Sequence, residues 1–370
     1  MTRDWSRSLI DPDLPHLKKV SRIKHEILTK YLPPWQRILG SRHRKLAYVD
    51  CYAGGGLYEF EGKESPGSPL IALQTAEEYL GKNKEVELVL ILVEKNKDET
   101  QRLRKAIDKY GSPPKRLHLF VQEEEAKDFV GTLLREVPHL VPSFFMVDPY
   151  GHPLTIPIIN DILKRQRTEA LVTFMYFRIN MDASNPKAIP RVDQMFGHQD
   201  WRRQPFLKAR GIKRELGFLQ YFLDEIQAQY KLVFRLRFDR EDKVSPERTK
   251  YYLIHASNHP KAVLLMKEIM HPLGDEAGVF DYSGREQAAL FERRPRDEDL
   301  EEFLVANHAC KEIAYDTLRE ETWNQPFVDK QYRKVIKGLE KRGLAEIVRV
   351  SSKKSGLRRH DLVHILKKGT

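Results

Sequence analysis

Apolar positions along the 370-residue chain follow two spacings, one typical of helices and one typical of buried strands. Residues 16–39 carry apolar side chains at helical spacing, and Pro33-Pro34 is expected to stop that helix. From residue 45, short continuous apolar runs alternate with helical segments. Strands that are apolar on both faces and separated by helices predict a parallel sheet covered on both sides. The predicted strands of this part are 46–51, 86–93, 117–121, 143–147 and 170–176.

Two further predicted strands, 232–238 and 250–256, are separated only by a polar turn. Because this leaves no room for a crossover helix, the two strands must pair antiparallel or lie apart. A parallel sheet that ends in one antiparallel hairpin is the outline of a class I methyltransferase, whereas a Rossmann-type dehydrogenase would continue in parallel. We therefore predict an α/β fold with a Rossmann-like, mostly parallel sheet of seven strands.

A stretch rich in glycine and proline, 272–295, separates this sheet from a different pattern. Three helices are predicted at 297–308, 312–321 and 329–342, followed by strands at 344–350 and 361–366. Three helices and a two-stranded wing describe a winged helix-turn-helix. The predicted domains are an N-terminal helical segment (1–44), a methyltransferase-like domain (45–271), a linker (272–296) and the winged helix-turn-helix domain (297–370).

Charge is distributed unevenly along the chain, which has 64 Lys+Arg against 53 Asp+Glu. Residues 330–370 hold thirteen Lys/Arg against three acids, whereas 292–329 hold eleven acids against five bases. A basic helix followed by a basic hairpin tip is typical of modules that bind nucleic acid, mainly through phosphate. The alternatives are a solvated basic face or a surface for protein contact. The predicted contact residues are Lys330, Arg333, Lys334, Lys337, Arg342, Lys353, Lys354, Arg358 and Arg359.

Several protein classes are excluded by the composition. No apolar run approaches the length of a membrane span, and the first residues lack the apolar segment of a secretory signal. Two cysteines, Cys51 and Cys310, cannot build a disulfide framework or a cysteine zinc site. We expect a cytoplasmic protein with no membrane association and no bound metal.

A glycine turn follows the first predicted strand and indicates a cofactor site. The residues are Asp50, Tyr52, Ala53, Gly54, Gly55 and Gly56. Glycines at the end of a strand let the backbone approach a ligand closely. No third glycine follows at the spacing of the nicotinamide fingerprint G-x-G-x-x-G, and the Gly-Lys-Ser/Thr of a P-loop is also missing. The turn therefore favours S-adenosylmethionine over NAD.

In this interpretation, Asp50 and the glycine turn hold the methionine part of S-adenosylmethionine. Glu94, which ends the next strand beside Lys95, accepts hydrogen bonds from the ribose hydroxyls. Gln122 or Glu123, at the end of the third strand, reaches the adenine amine. The alternative for Glu94 is a solvated strand end.

The fourth strand ends in Asp148-Pro149-Tyr150-Gly151, the candidate catalytic residues. Amine methyltransferases place a carboxylate or amide, a proline and an aromatic ring at this position, where they orient a planar base for methyl transfer. The adenine- and cytosine-amine enzymes have two prolines here. The single proline makes the motif closer to the Asp-Pro-Phe-Gly of tRNA guanine dimethyltransferases. The alternative is a strand-ending Asp-Pro turn. Cytosine C5 methylation is excluded because it needs a cysteine in this loop.

Several phrases of the sequence together resemble the three-Cys-motif partner proteins (TcmP). The phrases are residues 24–35 (KHEILTKYLPPW), 48–54 (YVDCYAG), 67–70 (GSPL), 147–151 (VDPYG) and 251–261 (YYLIHASNHPK). The resemblance implies a class I methyltransferase-like fold and a partner protein that carries three cysteines and looks like a radical-S-adenosylmethionine or iron–sulfur protein. Phe177-Arg178, after the fifth strand, departs from the smaller residues expected there.

Three hypotheses follow. The first is an S-adenosylmethionine-dependent methyltransferase that acts on an amine of a nucleic-acid base. The second is a non-catalytic, nucleic-acid-binding partner that delivers substrate to the three-cysteine protein. The third, a nicotinamide dehydrogenase, is disfavoured by the glycine spacing.

Overall fold

The computed structural model describes residues 13–109, 111–149, 154–238, 248–277, 296–350 and 356–366. These residues form an α/β body and a smaller C-terminal module. In the body, seven strands lie in one sheet in the order β5-β4-β1-β6-β7-β9-β8. Their bounds are β1 Lys45–Asp50, β4 Glu87–Val93, β5 Leu117–Gln122, β6 Ser143–Val147, β7 Thr168–Phe174, β8 Tyr230–Arg237 and β9 Thr249–Ser257.

Strand direction in this sheet agrees with the sequence prediction. The pairs β1·β4, β4·β5, β1·β6 and β6·β7 are parallel. Strand β9 inserts between β7 and β8 and pairs antiparallel with both. The predicted α/β fold with a mostly parallel, seven-stranded sheet is therefore confirmed, and the order is that of a Rossmann-like methyltransferase fold.

Helices cover both faces of the sheet because side chains of successive strand residues point to opposite sides. On one face, Tyr48 and Phe144 pack in a core with α1 Lys19–Gly40, α2 Ser68–Lys82, α3 Lys97–Asp108 and α9 Pro260–Ala277. On the other face, Val49 and Phe145 pack in a second core. The helices that line this second core are α4 Ala126–Glu136, α5 Ile156–Leu163, α6 Tyr176–Asp182, α7 Ile189–Phe196 and α8 Gly211–Glu225.

Helix α1 does not stop at Pro33-Pro34 but continues to Gly40. The prediction that the prolines end the helix was wrong. Each proline removes one helical hydrogen bond. Tyr31, Leu32 and Trp35, which flank the prolines, are all buried in the core, and this packing holds the helix together. Helix α1 thus shares its core with the sheet, while α9 extends past residue 272, the predicted start of the linker.

Two features of the body lie outside the predicted elements. A short hairpin, β2 Leu57–Phe60 with β3 Lys63–Pro66, follows the glycine turn directly. Helices α6 and α7 and two 3₁₀ turns, Asp200–Arg203 and Pro205–Lys208, fill the chain between β7 and α8. The hairpin was missed because its polar residues, such as Glu59 and Glu64, resemble a loop.

The C-terminal module has three helices and a three-stranded antiparallel sheet. Its elements are α10 Asp297–His308, β10 Glu312–Ala314, α11 Tyr315–Glu321, α12 Asp329–Lys341, β11 Ala345–Val348 and β12 Leu362–Ile365, with sheet order β10-β12-β11. Leu304, Ile336 and Val363 lie in its separate core. Strand β10 was predicted as the start of a helix.

The module is attached to the body through buried polar contacts. The Arg319 guanidinium of α11 pairs with Glu268 on α9 at 2.8 Å. The buried Lys267 ammonium donates to the Trp323 carbonyl at 3.0 Å. Trp323 in turn meets the Tyr230 ring edge to face, with centroids 5.3 Å apart. Within the described residues, no helix is both long and apolar enough to cross a membrane.

Candidate functional site

The sheet order reverses between β1 and β6, whose carboxyl ends lie side by side. Ligands of open α/β sheets bind in the crevice at such a reversal. Strand β1 ends at Asp50, and β6 ends at Val147 immediately before Asp148. The two acids predicted from the sequence are therefore brought to the same crevice.

Side chains are disfavoured in and around the glycine turn. A Cβ at Gly55 would lie 2.5 Å from the Glu99 carboxylate, and a Cβ at Gly67 would lie 2.8 Å from the Tyr58 ring. Gly54 and Gly56 have φ values of +60° and +81°, a region that side-chain-bearing residues rarely adopt. The turn is closed by the Gly67 amide, which donates to the Gly56 carbonyl at 2.7 Å. This turn fits a ligand that is bound by backbone contact.

Asp50 is fully buried beside this turn. Its carboxylate accepts from the Tyr48 hydroxyl at 2.9 Å and from the Tyr52 amide at 3.3 Å. Burial raises the pKa of Asp50 to about 6, against the opposing effect of hydrogen bonds from Ser68, Tyr48 and Tyr52. No cation pairs with Asp50 among the described residues, and a buried carboxylate of this kind is suited to a positively charged ligand group. The ammonium of S-adenosylmethionine is such a group.

Glu94 follows β4 and lies against the glycine turn. One carboxylate oxygen accepts from the Gly54 amide at 3.0 Å, and the other accepts from the Asn96 amide at 2.8 Å. Each oxygen keeps a second acceptor position, so the residue remains able to accept from ribose hydroxyls. The Lys95 ammonium forms an ion pair with the Glu125 carboxylate at 3.1 Å. Gln122 is the last residue of β5, and its backbone carbonyl accepts from the Glu94 amide at 2.9 Å.

Asp148 is held by side chains from two other elements. One carboxylate oxygen accepts from the Thr173 hydroxyl of β7 at 2.6 Å, and the other forms an ion pair with Lys24 of α1. The Lys24 ammonium also lies 5.1 Å from the centre of the Tyr251 ring. Pro149 follows Asp148 within the described chain, whereas Tyr150 and Gly151 lie outside the described residues. The Asp148 carboxylate is therefore fixed, and its side chain is 20% exposed.

His25 and Tyr58 complete the surroundings of these acids. Burial, reinforced by the Lys24 charge, lowers the pKa of His25 to about 4, so the ring is neutral at pH 7. Its ring centroid lies 5.7 Å from that of Tyr58. Burial, together with the charges of Asp148, Asp50, Glu99 and Glu94, raises the pKa of Tyr58. The Tyr58 hydroxyl also lies at the glycine turn, 3.3 Å from the position that a Cβ of Gly54 would take.

Sequence reasoning missed Lys24, His25, Tyr58 and Thr173 as site residues. Lys24 carried a usable signal, because a lysine occupies the apolar stripe of α1 between Val20 and Ile27. Thr173 is similarly a polar residue within the buried run of β7. Tyr58 carried no such signal, since only the fold of the hairpin brings it back to the glycine turn.

The predicted nucleic-acid contacts of the C-terminal module divide into three groups. Arg333, Lys334 and Arg342 form ion pairs with Asp329, Asp297 and Glu301. Lys330, Lys337, Arg358 and Arg359 are exposed. Lys353 and Lys354 lie outside the described residues. The acidic stretch 292–329 therefore supplies partners for the basic stretch that follows it. In the described part of the chain, no group of three or more His, Cys, Asp or Glu side chains could hold a metal ion.

No protein-family model matches the chain, and no curated protein matches it either. Among solved structures, it is similar to a Legionella pneumophila protein of the DUF519 family, with 14% identity, a TM-score of 0.41, and coverage of 69% of this chain and 91% of that one. A second similar structure is a SAM-dependent methyltransferase from Agrobacterium tumefaciens, with 11% identity and a TM-score of 0.33. A third is a putative class I S-adenosylmethionine-dependent methyltransferase from Listeria monocytogenes, with 10% identity and a TM-score of 0.30. Both methyltransferase matches cover 66% of this chain and 63% of the other. The fold assignment of the chain rests on its own strand order, not on these likenesses.

Proposed function

We propose that the protein is an S-adenosylmethionine-dependent methyltransferase that acts on an amine of a nucleic-acid base. The observation that carries this proposal is the pairing, at one crevice, of a side-chain-free glycine turn with a fixed carboxylate, Asp148. The turn, Asp50 and Glu94 are the residues that would hold the cofactor, which supplies the methyl group when bound.

Asp148 has the role of orienting the target amine. Thr173 and Lys24 each use one of the acceptor positions of its two oxygens, and the remaining positions are available to the amine hydrogens. Because Lys24 and Thr173 fix the carboxylate, the amine is held in one orientation relative to the glycine turn. Alignment of this kind supplies most of the rate in a displacement reaction.

Nucleic acid as the substrate class is supported by two features of the chain. A planar base fits the aromatic residue Tyr150, which follows Asp148-Pro149 in the sequence. The C-terminal module, with helices α10 to α12 and a three-stranded sheet, has the element order of a winged helix-turn-helix. A partner with three cysteines is proposed from the resemblance to TcmP proteins alone.

The test combines two measurements. Calorimetry with the pure protein is expected to show S-adenosylmethionine binding that is strongly weakened by Gly54→Val, because the φ value of +60° at this position is strained for a β-branched side chain. Mass spectrometry of nucleosides from cells with and without the gene is expected to show the loss of one methylated nucleoside. No cofactor binding, with or without nucleic acid, would contradict the proposal.

A second candidate is a non-catalytic partner that binds nucleic acid and delivers it to the three-cysteine protein. The Lys24–Asp148 ion pair favours it, because a charge-paired carboxylate serves equally well as a structural contact between α1 and β6. This candidate predicts that Asp148→Ala leaves cellular function intact. The methyltransferase proposal predicts that the same substitution abolishes the modification.

A further inference from the structure

A cluster of aromatic and cationic side chains lies at the carboxyl edge of the sheet, beyond Asp148. Phe177 is in the first turn of α6, directly after β7, and Phe238 directly follows β8. Arg248 precedes β9, and Lys250 lies within it. The two phenylalanine rings meet edge to face with centroids 4.8 Å apart. We call these four residues the aromatic–cationic cluster.

The cations of the cluster lie against its rings. The Arg248 guanidinium is 5.2 Å from the centre of the Phe177 ring, and the Lys250 ammonium is 5.4 Å from that of Phe238. Distances of this size give cation–π attraction. Both rings are partly exposed, and Arg248 is exposed. Among the described residues, no carboxylate forms an ion pair with Arg248.

The strands that carry the cluster are connected to α8 by hydrogen bonds and an ion pair of Glu215. Glu215 of α8 is buried and accepts from the hydroxyls of Tyr252 and Thr249 on β9. It also pairs with Arg235 of β8 at 3.0 Å. These contacts connect α8 to β8, which ends just before Phe238, and to β9, which begins just after Arg248. A fixed arrangement of rings and cations lowers the entropy cost of ligand binding.

The cluster is close in sequence to Thr173, which contacts the proposed catalytic residue Asp148. Thr173, which donates to Asp148, is four residues before Phe177 on the same segment. Four residues span at most about 14 Å, since each extends the chain by no more than ~3.6 Å. A nucleotide within a few positions of the one held at Asp148 is therefore within reach of the Phe177 ring, since stacked nucleotides of one strand are about 3.4 Å apart.

We infer that the aromatic–cationic cluster binds an unpaired nucleotide that flanks the target base, with the rings stacking on the base and the exposed Arg248 contacting phosphate. This inference rests on the proposed function, since it names the form of the nucleic acid at the same site. Exposed aromatic rings with neighbouring cations are the usual means of holding single strands without sequence preference. A duplex does not offer its base faces to such rings. The occupant is therefore single-stranded nucleic acid.

The test uses the full-length protein and labelled oligonucleotides of about 12 nucleotides, within the usual size of single-strand sites. Fluorescence anisotropy is measured with a single-stranded RNA, the DNA of the same sequence, and the duplex of each. Phe177→Ala and Phe238→Ala are each expected to weaken single-strand binding by about tenfold, the loss of one stacking contact. Phe177→Trp keeps a ring and is expected to retain the affinity.

A matched control is available in Phe120→Ala. Phe120 is 48% exposed and lies on β5, at the opposite edge of the sheet. Its substitution is expected to leave binding within twofold of the unmodified protein. Thermal unfolding of every variant establishes that the comparison is between folded proteins, and an alanine variant that does not fold is replaced by Phe177→Leu or Phe238→Leu, which keep bulk but remove the ring.

Single-strand affinity that is unchanged by removal of both rings would overturn the inference, and so would the absence of any single-strand binding. Duplex binding that is as tight as single-strand binding and equally sensitive to the substitutions would overturn it too. Tighter binding of either RNA or DNA, lost on ring removal, supports it and names the nucleic acid. Cofactor binding is measured separately by calorimetry. Its absence would count against the proposed function, whereas the anisotropy result does not depend on it.

Discussion

The basic stretch 330–370 of the C-terminal module and the aromatic–cationic cluster both carry Lys and Arg side chains, but they use their positive charge differently. In the module, four cations of the basic stretch lie in ion pairs: Arg333 with Asp329, Lys334 with Asp297, Arg342 with Glu301 and Arg349 with Glu340. In the cluster, Arg248 and Lys250 lie over aromatic rings at the carboxyl edge of the sheet. The region with the greater excess of positive charge in the sequence therefore has many of its cations already paired.

This difference teaches that the net charge of a segment does not by itself locate a binding surface. The acidic stretch 292–329 precedes the basic stretch 330–370 in the sequence, and the fold brings the two together. A cation in an ion pair within the protein contributes mainly to stability, whereas an exposed cation without an ion pair among the described residues, such as Arg248, can contact phosphate. The predictions below separate these two uses of charge.

The largest effect is expected for Asp148→Ala. The substitution removes the carboxylate that pairs with Lys24 and both oxygens that can accept from the amine. Methyl transfer to nucleic acid is expected to fall by about 100-fold or more, the usual cost of removing a group that stabilises developing charge. Transfer from radiolabelled S-adenosylmethionine measures it, with calorimetry as a control because cofactor affinity should be unchanged. Activity within threefold of the unmodified protein would remove Asp148 from the mechanism.

A large loss of stability is expected for Arg319→Met in the module. The Arg319 side chain is 6% exposed and pairs with Glu268 and Asp329. Its removal leaves Glu268 without a cation and Asp329 with Arg333 alone, which is expected to cost about 3 kcal/mol of unfolding free energy. Urea unfolding measures the loss. Arg349→Met, at a more exposed pair, is the matched control and should lose much less. Equal losses for the two variants would contradict the role of burial.

The sequence was sufficient to predict the sheet, the glycine turn and the position of Asp148. Apolar runs are direct consequences of burial on both faces, and the carboxyl ends of parallel strands must meet at one edge. The surroundings of Asp148 were not predicted, because Lys24 and Thr173 reach it from elements 124 and 25 residues away. Ion pairing in the module was also missed, since partners such as Arg342 and Glu301 are 41 residues apart. Side chains distant in sequence pair only once the fold is known.

Cofactor affinity is expected to depend on pH through Asp50. Burial raises the pKa of this carboxyl to about 6, so it is protonated below that pH and loses its attraction for the cofactor ammonium. Affinity for S-adenosylmethionine is expected to fall about tenfold for each pH unit below 6. For the protein without cofactor the sign is opposite, because a raised pKa in the fold adds stability at low pH that is lost as the pH rises through about 6.

Calorimetry between pH 5 and pH 7 tests the dependence, with Asp50→Asn as the control. The amide cannot titrate, so the variant is expected to bind weakly and with no change of affinity over this range. A dependence that survives in Asp50→Asn would assign the titration to another group.

A smaller effect on binding is expected for Arg248→Gln. The substitution removes one phosphate contact from the aromatic–cationic cluster, and single-strand affinity is expected to fall by about three- to fivefold at low salt. The salt dependence should also become less steep, by about one unit of the logarithmic slope. Lys337→Gln, on the exposed face of α12, makes the same change of charge in the module. A greater loss for Lys337→Gln would show that the module dominates binding.

The smallest effect is expected for Lys334→Gln. This substitution distinguishes most directly between a cation paired within the module and Arg248 in the aromatic–cationic cluster. Lys334 is exposed but pairs with Asp297 on α10, so its charge is already compensated within the module. Since the ion pair is at the surface, the substitution should barely change the urea midpoint. Since the cation is paired, it should also leave oligonucleotide affinity within twofold, unlike Arg248→Gln. Anisotropy titrations of both variants at one salt concentration provide the comparison. A loss for Lys334→Gln as large as that for Arg248→Gln would mean that phosphate displaces Asp297, and that an ion pair within the module does not remove a cation from binding.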